Sequence, residues 1–206
     1  MNDSVPPNED DSFRTQFWVK RWERGKLPWD LGHVPPDLTR FLTQTETSQP
    51  RALIPGCGSG YEVQAFHQAG YEVEAIDFSG PAVARAREVL GPLGDRVIQG
   101  NFFKHDFAGK RYGLIYERGF LCSFSPDHWP EYAARMAELL SPGGRLVGLF
   151  LYGQEPEPPP FPLTDETAAT LLGKSFRLIK SEAAAADTVP VYRGLERWQE
   201  WERIGG

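Results

Sequence analysis

Hydrophobic positions change their period along the chain, and each change predicts an element. In "SFRTQFWVKRWERG" the apolar residues recur with helical spacing, and Gly25 with Pro28 stops the helix. A second helix is expected after "PPD", from Asp37. "RALIP" is a short apolar run, and "YEVQAFHQAG" returns to helical spacing with Gly70 as its stop. "YEVEAIDF" then reads as strand, "PAVARAREVLG" as helix, and "RVIQGNFF" and "RYGLIYERG" as strands. Within "SPDHWPEYAARMAELLSPGG", Trp129, Tyr132, Ala133, Met136, Leu139 and Leu140 form one apolar stripe. Ser125 is its candidate cap, Pro126 suits its first turn, and Gly143-Gly144 is its stop. "RLVGLFLY" reads as a central strand, "GQEPEPPPFPLT" as a loop and "DETAATLLG" as a short helix. "FRLIKSEAAAA" and "LERWQEWERI" read as late strands. The alternation predicts an α/β fold, a parallel sheet with helices on both faces.

Composition narrows the function classes. The 206 residues, 40% hydrophobic and 24% charged, suit one globular domain with a sizeable core. A net charge of -6 without any Lys/Arg run argues against nucleic acid and against an anionic membrane surface as partner. No apolar stretch reaches membrane-spanning length. "MNDSVPPNEDDS" lacks the basic and apolar regions of a secretory signal, so residues 1–11 are expected to be a disordered tail and the protein cytoplasmic. Cys57 and Cys122 form no disulfide framework, which fits a reducing compartment. The four histidines, His33, His67, His105 and His128, show no metal-ligand spacing, so no metal site is expected.

The chemistry concentrates in "PGCGSGYEV" and the strand that follows it. A glycine-rich turn between a strand and a helix sets backbone N–H groups at the carboxyl end of a sheet, where ligands of open α/β sheets bind. Gly56, Gly58 and Gly60 would let a ligand approach the backbone, and Asp77 at the next strand end can accept ribose hydroxyls. The plainer alternative is a tight turn with a capping aspartate. A dinucleotide fingerprint requires glycine where Tyr61 stands, which disfavours an NAD-dependent oxidoreductase, and no Walker Gly-Lys-Ser/Thr follows. An adenosyl ligand without a pyrophosphate fits the pattern better.

Five segments, "FWVKRWERGKLPWDLGHVPPDL", "ALIPGCGSGYEV", "VEAIDFS", "NFF" and "LIYERGFLCSFSPDHWPEYAARMAELLSPGGRL", occur in this order. Together they resemble the thiopurine S-methyltransferase family, which includes thiol and halide methyltransferases. The resemblance runs from Phe17 to the final strand and includes "PPFPLTDE". It implies a Rossmann-like class I methyltransferase fold: a seven-stranded mixed sheet, the last strand antiparallel and inserted beside the fifth. The implied cofactor is S-adenosylmethionine, leaving as S-adenosylhomocysteine, and the implied partner is a small methyl acceptor bound by a monomer.

By the same resemblance, residues 12–206 form one domain whose segment 12–45 is a lid carrying Trp18, Trp22 and Trp29. Gly56 and Gly58 fall in the methionine-binding turn, Asp77 at the ribose acid, and Asn101 and Phe102 where adenine is held. Arg118, at a strand end, is the candidate for orienting the acceptor, or else pairs structurally with Glu117 or Asp77. Phe120 is expected to pack against the lid, and His33 is a candidate proton acceptor from a thiol. The acceptor is expected to be a soft nucleophile: a thiol first, then a halide, a thiopurine or a selenium or tellurium oxyanion. A non-catalytic adenosyl-binding protein is the alternative.

Overall fold

The computed structural model describes residues 11–45, 48–155, 158–185, 189–192 and 194–205. The tail expected at residues 1–11 lies outside them, apart from Asp11, which already opens a helix. That helix, α1 (Asp11–Glu23), is followed after a turn by α2 (Pro36–Gln44). Then come β1 (Arg51–Pro55), α3 (Tyr61–Gln68), β2 (Glu72–Asp77), α4 (Gly80–Leu90), β3 (Val97–Gln99) and β4 (Tyr112–Arg118). The second half holds α5 (Trp129–Leu139), β5 (Leu140–Leu151), α6 (Asp165–Leu172), β6 (Phe176–Ala183) and β7 (Glu196–Arg203).

One seven-stranded sheet runs β3-β2-β1-β4-β5-β7-β6. Neighbours from β3 to β5 are parallel, whereas β7 runs antiparallel to both β5 and β6. This is the class I methyltransferase order, with the last strand inserted beside the fifth. The chain leaves β1 toward β2 and returns to its other side as β4, so the switch point lies at the carboxyl ends of β1 and β4.

Both faces of the sheet are buried, so its central strands read as nearly continuous apolar runs. One core joins Leu53, Ile115, Leu146 and Phe150 to Tyr132 and Met136 of α5. The other joins Ile54, Tyr116, Val147 and Trp198 to Leu38 and Phe41 of α2 and Val63 and Phe66 of α3. Phe41 packs at a tilt against Trp198 with ring centroids 5.5 Å apart. The α2 half of the expected lid segment is therefore core, and the roof over the site is α1 with the turn that follows it.

Three boundaries differ from the sequence pattern. α5 stops at Leu139, and Leu140 already pairs with Tyr112, so Ser141, Pro142, Gly143 and Gly144 lie within β5 instead of ending the helix. Ser125 makes no side-chain cap; a 3-10 turn over Pro126–His128 leads into α5. β3 is also short, because Asn101 turns the chain directly after it.

Candidate active site

Beyond β1, the glycine turn is built around Asp77. Gly56 adopts φ +60° and Gly58 φ +52°, left-handed conformations that strain other residues. A Cβ on Gly56 would enter the ring of Phe120, and one on Gly58 would come within 3.3 Å of Trp22 Cζ2. Gly60 has another use: it lets Ala86 and Leu90 of α4 approach α3. The N–H groups of Gly56 and Cys57 donate to the Ile76 carbonyl at 2.8 and 3.3 Å, and that of Gly60 to the Cys57 carbonyl at 2.9 Å. Gly58 N–H donates to Asp77 Oδ2 at 3.1 Å, and Ser79 N–H to Asp77 Oδ1 at 2.9 Å. These amides are engaged within the turn and with β2, and so offer no phosphate cradle, in keeping with the expected ligand without a pyrophosphate. Burial raises the Asp77 pKa, while the two amide donors oppose that shift. Each carboxylate oxygen retains a second acceptor site for a hydroxyl.

The turn opens onto a cavity of about 280 Å³ at the carboxyl edge of the sheet. Nine of the residues singled out in the sequence line it: Trp18, Trp22, Trp29, Gly56, Gly58, Asp77, Asn101, Phe102 and Arg118. The three half-buried indoles form an edge-to-face cluster, with Trp29 centred 5.1 Å from Trp18 and 6.5 Å from Trp22. Such pairs contribute about 0.5–1.5 kcal/mol each beyond burial. Ser59 Oγ donates to Asp30 Oδ2 at 2.5 Å, tying the roof to the glycine turn. His33 does not line the cavity; it is exposed, with Nδ1 3.0 Å from the Val34 carbonyl, so the expected thiol base is not at the site.

On the opposite wall, Phe102 is buried against Phe120, with centroids 5.3 Å apart. Asn101 Oδ1 accepts from Phe103 N–H at 2.9 Å, so one of its two lone pairs is committed to the turn. Phe120 departs from expectation. Instead of packing against the lid, it sits over Gly56 among Phe102, Phe124 and Tyr132.

Strand parity sorts the charged residues of β4. Arg118 shares the α2/α3 face with Tyr116, and its nearest carboxylate is Glu62 of α3 at 3.8 Å, not Glu117 or Asp77. Arg118 Nε and Nη2 are buried without a partner among the described residues. Burial works against its charge, but Glu62, Tyr116 and Glu196 together raise its pKa. Glu117 points to the other face, where Oε1 accepts from Phe120 N–H and Leu121 N–H and Oε2 from Tyr132 at 2.8 Å. Burial pushes its carboxyl up to about 7 despite those bonds. It therefore holds the loop carrying Phe120.

The thiopurine S-methyltransferase family model matches residues 13–203, nearly the whole chain. The chain belongs to the thiopurine S-methyltransferase family. It is 31% identical to a probable thiol methyltransferase 2 of Arabidopsis thaliana, across 90% of this chain and 84% of that one. It is 30% identical to thiocyanate methyltransferase 1 of the same plant, across 91% and 84%. Among solved structures, it superposes on the 1,6-didemethyltoxoflavin-N1-methyltransferase of Burkholderia thailandensis with a TM-score of 0.76. That match covers 98% of this chain and 93% of the other at 20% identity, a likeness of fold.

Other residues of this family member, in the cavity or behind its wall, escape a reading by motif. Glu62 looks like an ordinary first-turn helix acid, yet it is buried beside Arg118. Glu196 begins β7 opposite Leu151, and only the sheet register brings it near Arg118. Tyr192 lines the cavity and is buried in one cluster with Cys122. Burial pushes the Cys122 and Cys57 thiols well up, so neither is a thiolate nucleophile near neutral pH. No cluster of metal-ligating side chains occurs among the described residues.

Proposed function

We propose that this protein transfers the methyl group of S-adenosylmethionine to a small thiol, with the cavity between the glycine turn and the indole roof as its active site. The observation that carries the reading is the convergence of Asp77, the bare turn and the three tryptophans on one cavity in a chain of this family. The donor supplies an electrophilic methyl group on a sulfonium, whose charge is discharged as the acceptor takes the methyl. Asp77 accepts the ribose hydroxyls with the lone pairs left by the Gly58 and Ser79 amides. The inward-facing amides suit a ligand with no phosphate. Asn101 and Phe102 hold the adenine edge and face.

Arg118 offers its unpartnered Nε and Nη2 to an anionic group in the cavity. Its neighbour Glu62 supplies an acceptor for an ammonium, so the pair also matches a donor's amino-acid end. Trp18, Trp22 and Trp29 shield the reacting atoms from water and present aromatic faces that favour a cation by about 0.5–2 kcal/mol each. Alignment of sulfur and methyl in a closed site supplies much of the acceleration. No histidine lines the cavity, which favours acceptors that ionise readily by themselves.

The enzyme acts as a monomer in the cytoplasm. Both cysteines are free and buried, and no helix among the described residues is long and apolar enough to cross a membrane. Residues 12–31 of the single domain form the working lid. The test is release of S-adenosylhomocysteine from S-adenosylmethionine across thiols, thiocyanate, halides and thiopurines. Turnover with thiols supports the reading. Turnover confined to halides or thiocyanate replaces the acceptor class, and tight donor binding without any turnover makes the protein a binding module.

A further inference from the structure

Among the described residues, two arginines line the cavity, and they differ in how their charge is met. Arg118 lies on the floor beside Glu62. Arg21 lies in the roof, on α1, and has no carboxylate within ion-pair distance among the described residues. Its guanidinium sits 4.5 Å from the centre of the Phe17 ring, one helical turn earlier, and 6.0 Å from that of Trp29. Two aromatic rings hold a planar guanidinium in place without neutralising it or using its N–H donors. A charge kept in place and unneutralised at the wall of a cavity is a recognition element for an anion.

Its position indicates which ligand it would meet. Trp29, which Arg21 overlies, packs against Cys122, Leu151, Val189 and Tyr192. Those residues stand at or beyond the carboxyl ends of β4 and β5, on the far side of the switch point from Asp77 and Asn101. On that side Ser123 Oγ is engaged, donating to the Phe120 carbonyl at 2.6 Å, and Tyr192 is buried in one cluster with Cys122. The remaining surface there is apolar, with Phe124, Pro159, Pro160 and Val191. With Arg118 and Glu62 matched to the donor's amino-acid end, Arg21 is, among the described residues, the cation left to face an incoming acceptor.

We propose that Arg21 selects the acceptor by charge, so that the preferred thiols carry a carboxylate on a short apolar body. The carboxylate pairs with the Arg21 guanidinium while the sulfur reaches down toward the glycine turn. The guanidinium moves no proton and takes no part in bond making, so it acts on acceptor binding. This inference rests on the methyl-transfer reading above.

The test compares 3-mercaptopropionate with 3-mercapto-1-propanol, a neutral thiol of similar length, by S-adenosylhomocysteine release from wild type, Arg21→Gln and Arg21→Lys. Wild type is expected to favour the carboxylate thiol in kcat/KM by up to about fivefold, the effect of one ion pair open to solvent. Arg21→Gln should remove that preference, chiefly through KM, Arg21→Lys should keep part of it, and added salt should shrink it in wild type. Both thiols methylated at a ratio that neither substitution nor salt moves would overturn the selector role and leave the methyl-transfer reading intact. Methylation of neither thiol by wild type would overturn both. A wild type that prefers the neutral thiol overturns the selector role alone.

Discussion

Asp77→Ala is the most informative single substitution, because the carboxylate has a structural and a ligand-binding task that separate experimentally. In the ligand-free protein it accepts from Gly58 N–H at 3.1 Å and Ser79 N–H at 2.9 Å. Bonds to a charged acceptor contribute about 1.5–3 kcal/mol each. Burial of the carboxylate, visible in its raised pKa, offsets part of that sum. The net loss expected on truncation is about 2–4 kcal/mol of unfolding free energy without ligand. Urea denaturation at pH 7 measures it, with an unchanged m-value as the check that the folded state keeps its surface. Calorimetry with S-adenosylhomocysteine on the folded mutant then isolates the ribose contact, expected to weaken binding by a further ~1–3 kcal/mol. Wild-type stability without ligand would refute the turn-holding role, and wild-type affinity in a folded mutant would refute the ribose role.

Three further outcomes follow from the same geometry. Gly56→Ala should lose about 2–5 kcal/mol, from left-handed strain and from collision with a Phe120 ring that its aromatic neighbours hold in place; denaturation of Gly56→Ala/Phe120→Ala should recover the collision part. Trp29→Ala should weaken S-adenosylhomocysteine binding by calorimetry more than it lowers the ligand-free melting temperature, since the indole is half-buried between roof and cavity. Burial raises the Glu196 carboxyl from 4.5 to about 7, so its favourable contribution is complete below 4.5 and is lost as pH rises through 7. Glu196→Gln should therefore match wild type near pH 4.5 and exceed it by up to about 3 kcal/mol at pH 8, read by denaturation at both pH values.

The alternation of strand and helix patterns was legible because each central strand is buried on both faces and each helix on one. The end of α5 was not legible. Leu140 continues the apolar stripe of α5, and nothing local shows that it pairs with Tyr112 as the first residue of β5. The nine cavity residues were legible where motif and resemblance fix them to the carboxyl ends of strands. Their contacts were not, because these depend on which face each side chain takes. Parity sends Arg118 toward Glu62 and Glu117 toward Tyr132, although the two residues are adjacent in the chain. Glu196 lies 78 positions after Arg118 and reaches it only because β7 inserts beside β5. The place of Phe120 was not legible either: the clearance at Gly56 admits its ring to the floor, a contact that no local pattern around Phe120 shows.

A crystal structure grown with S-adenosylhomocysteine tests the central claim most directly. The account predicts the nucleoside in the cavity beneath Trp18, Trp22 and Trp29, with its ribose hydroxyls within hydrogen-bonding distance of Asp77. Ligand bound elsewhere, or an Asp77 that still meets only the Gly58 and Ser79 amides, would contradict it.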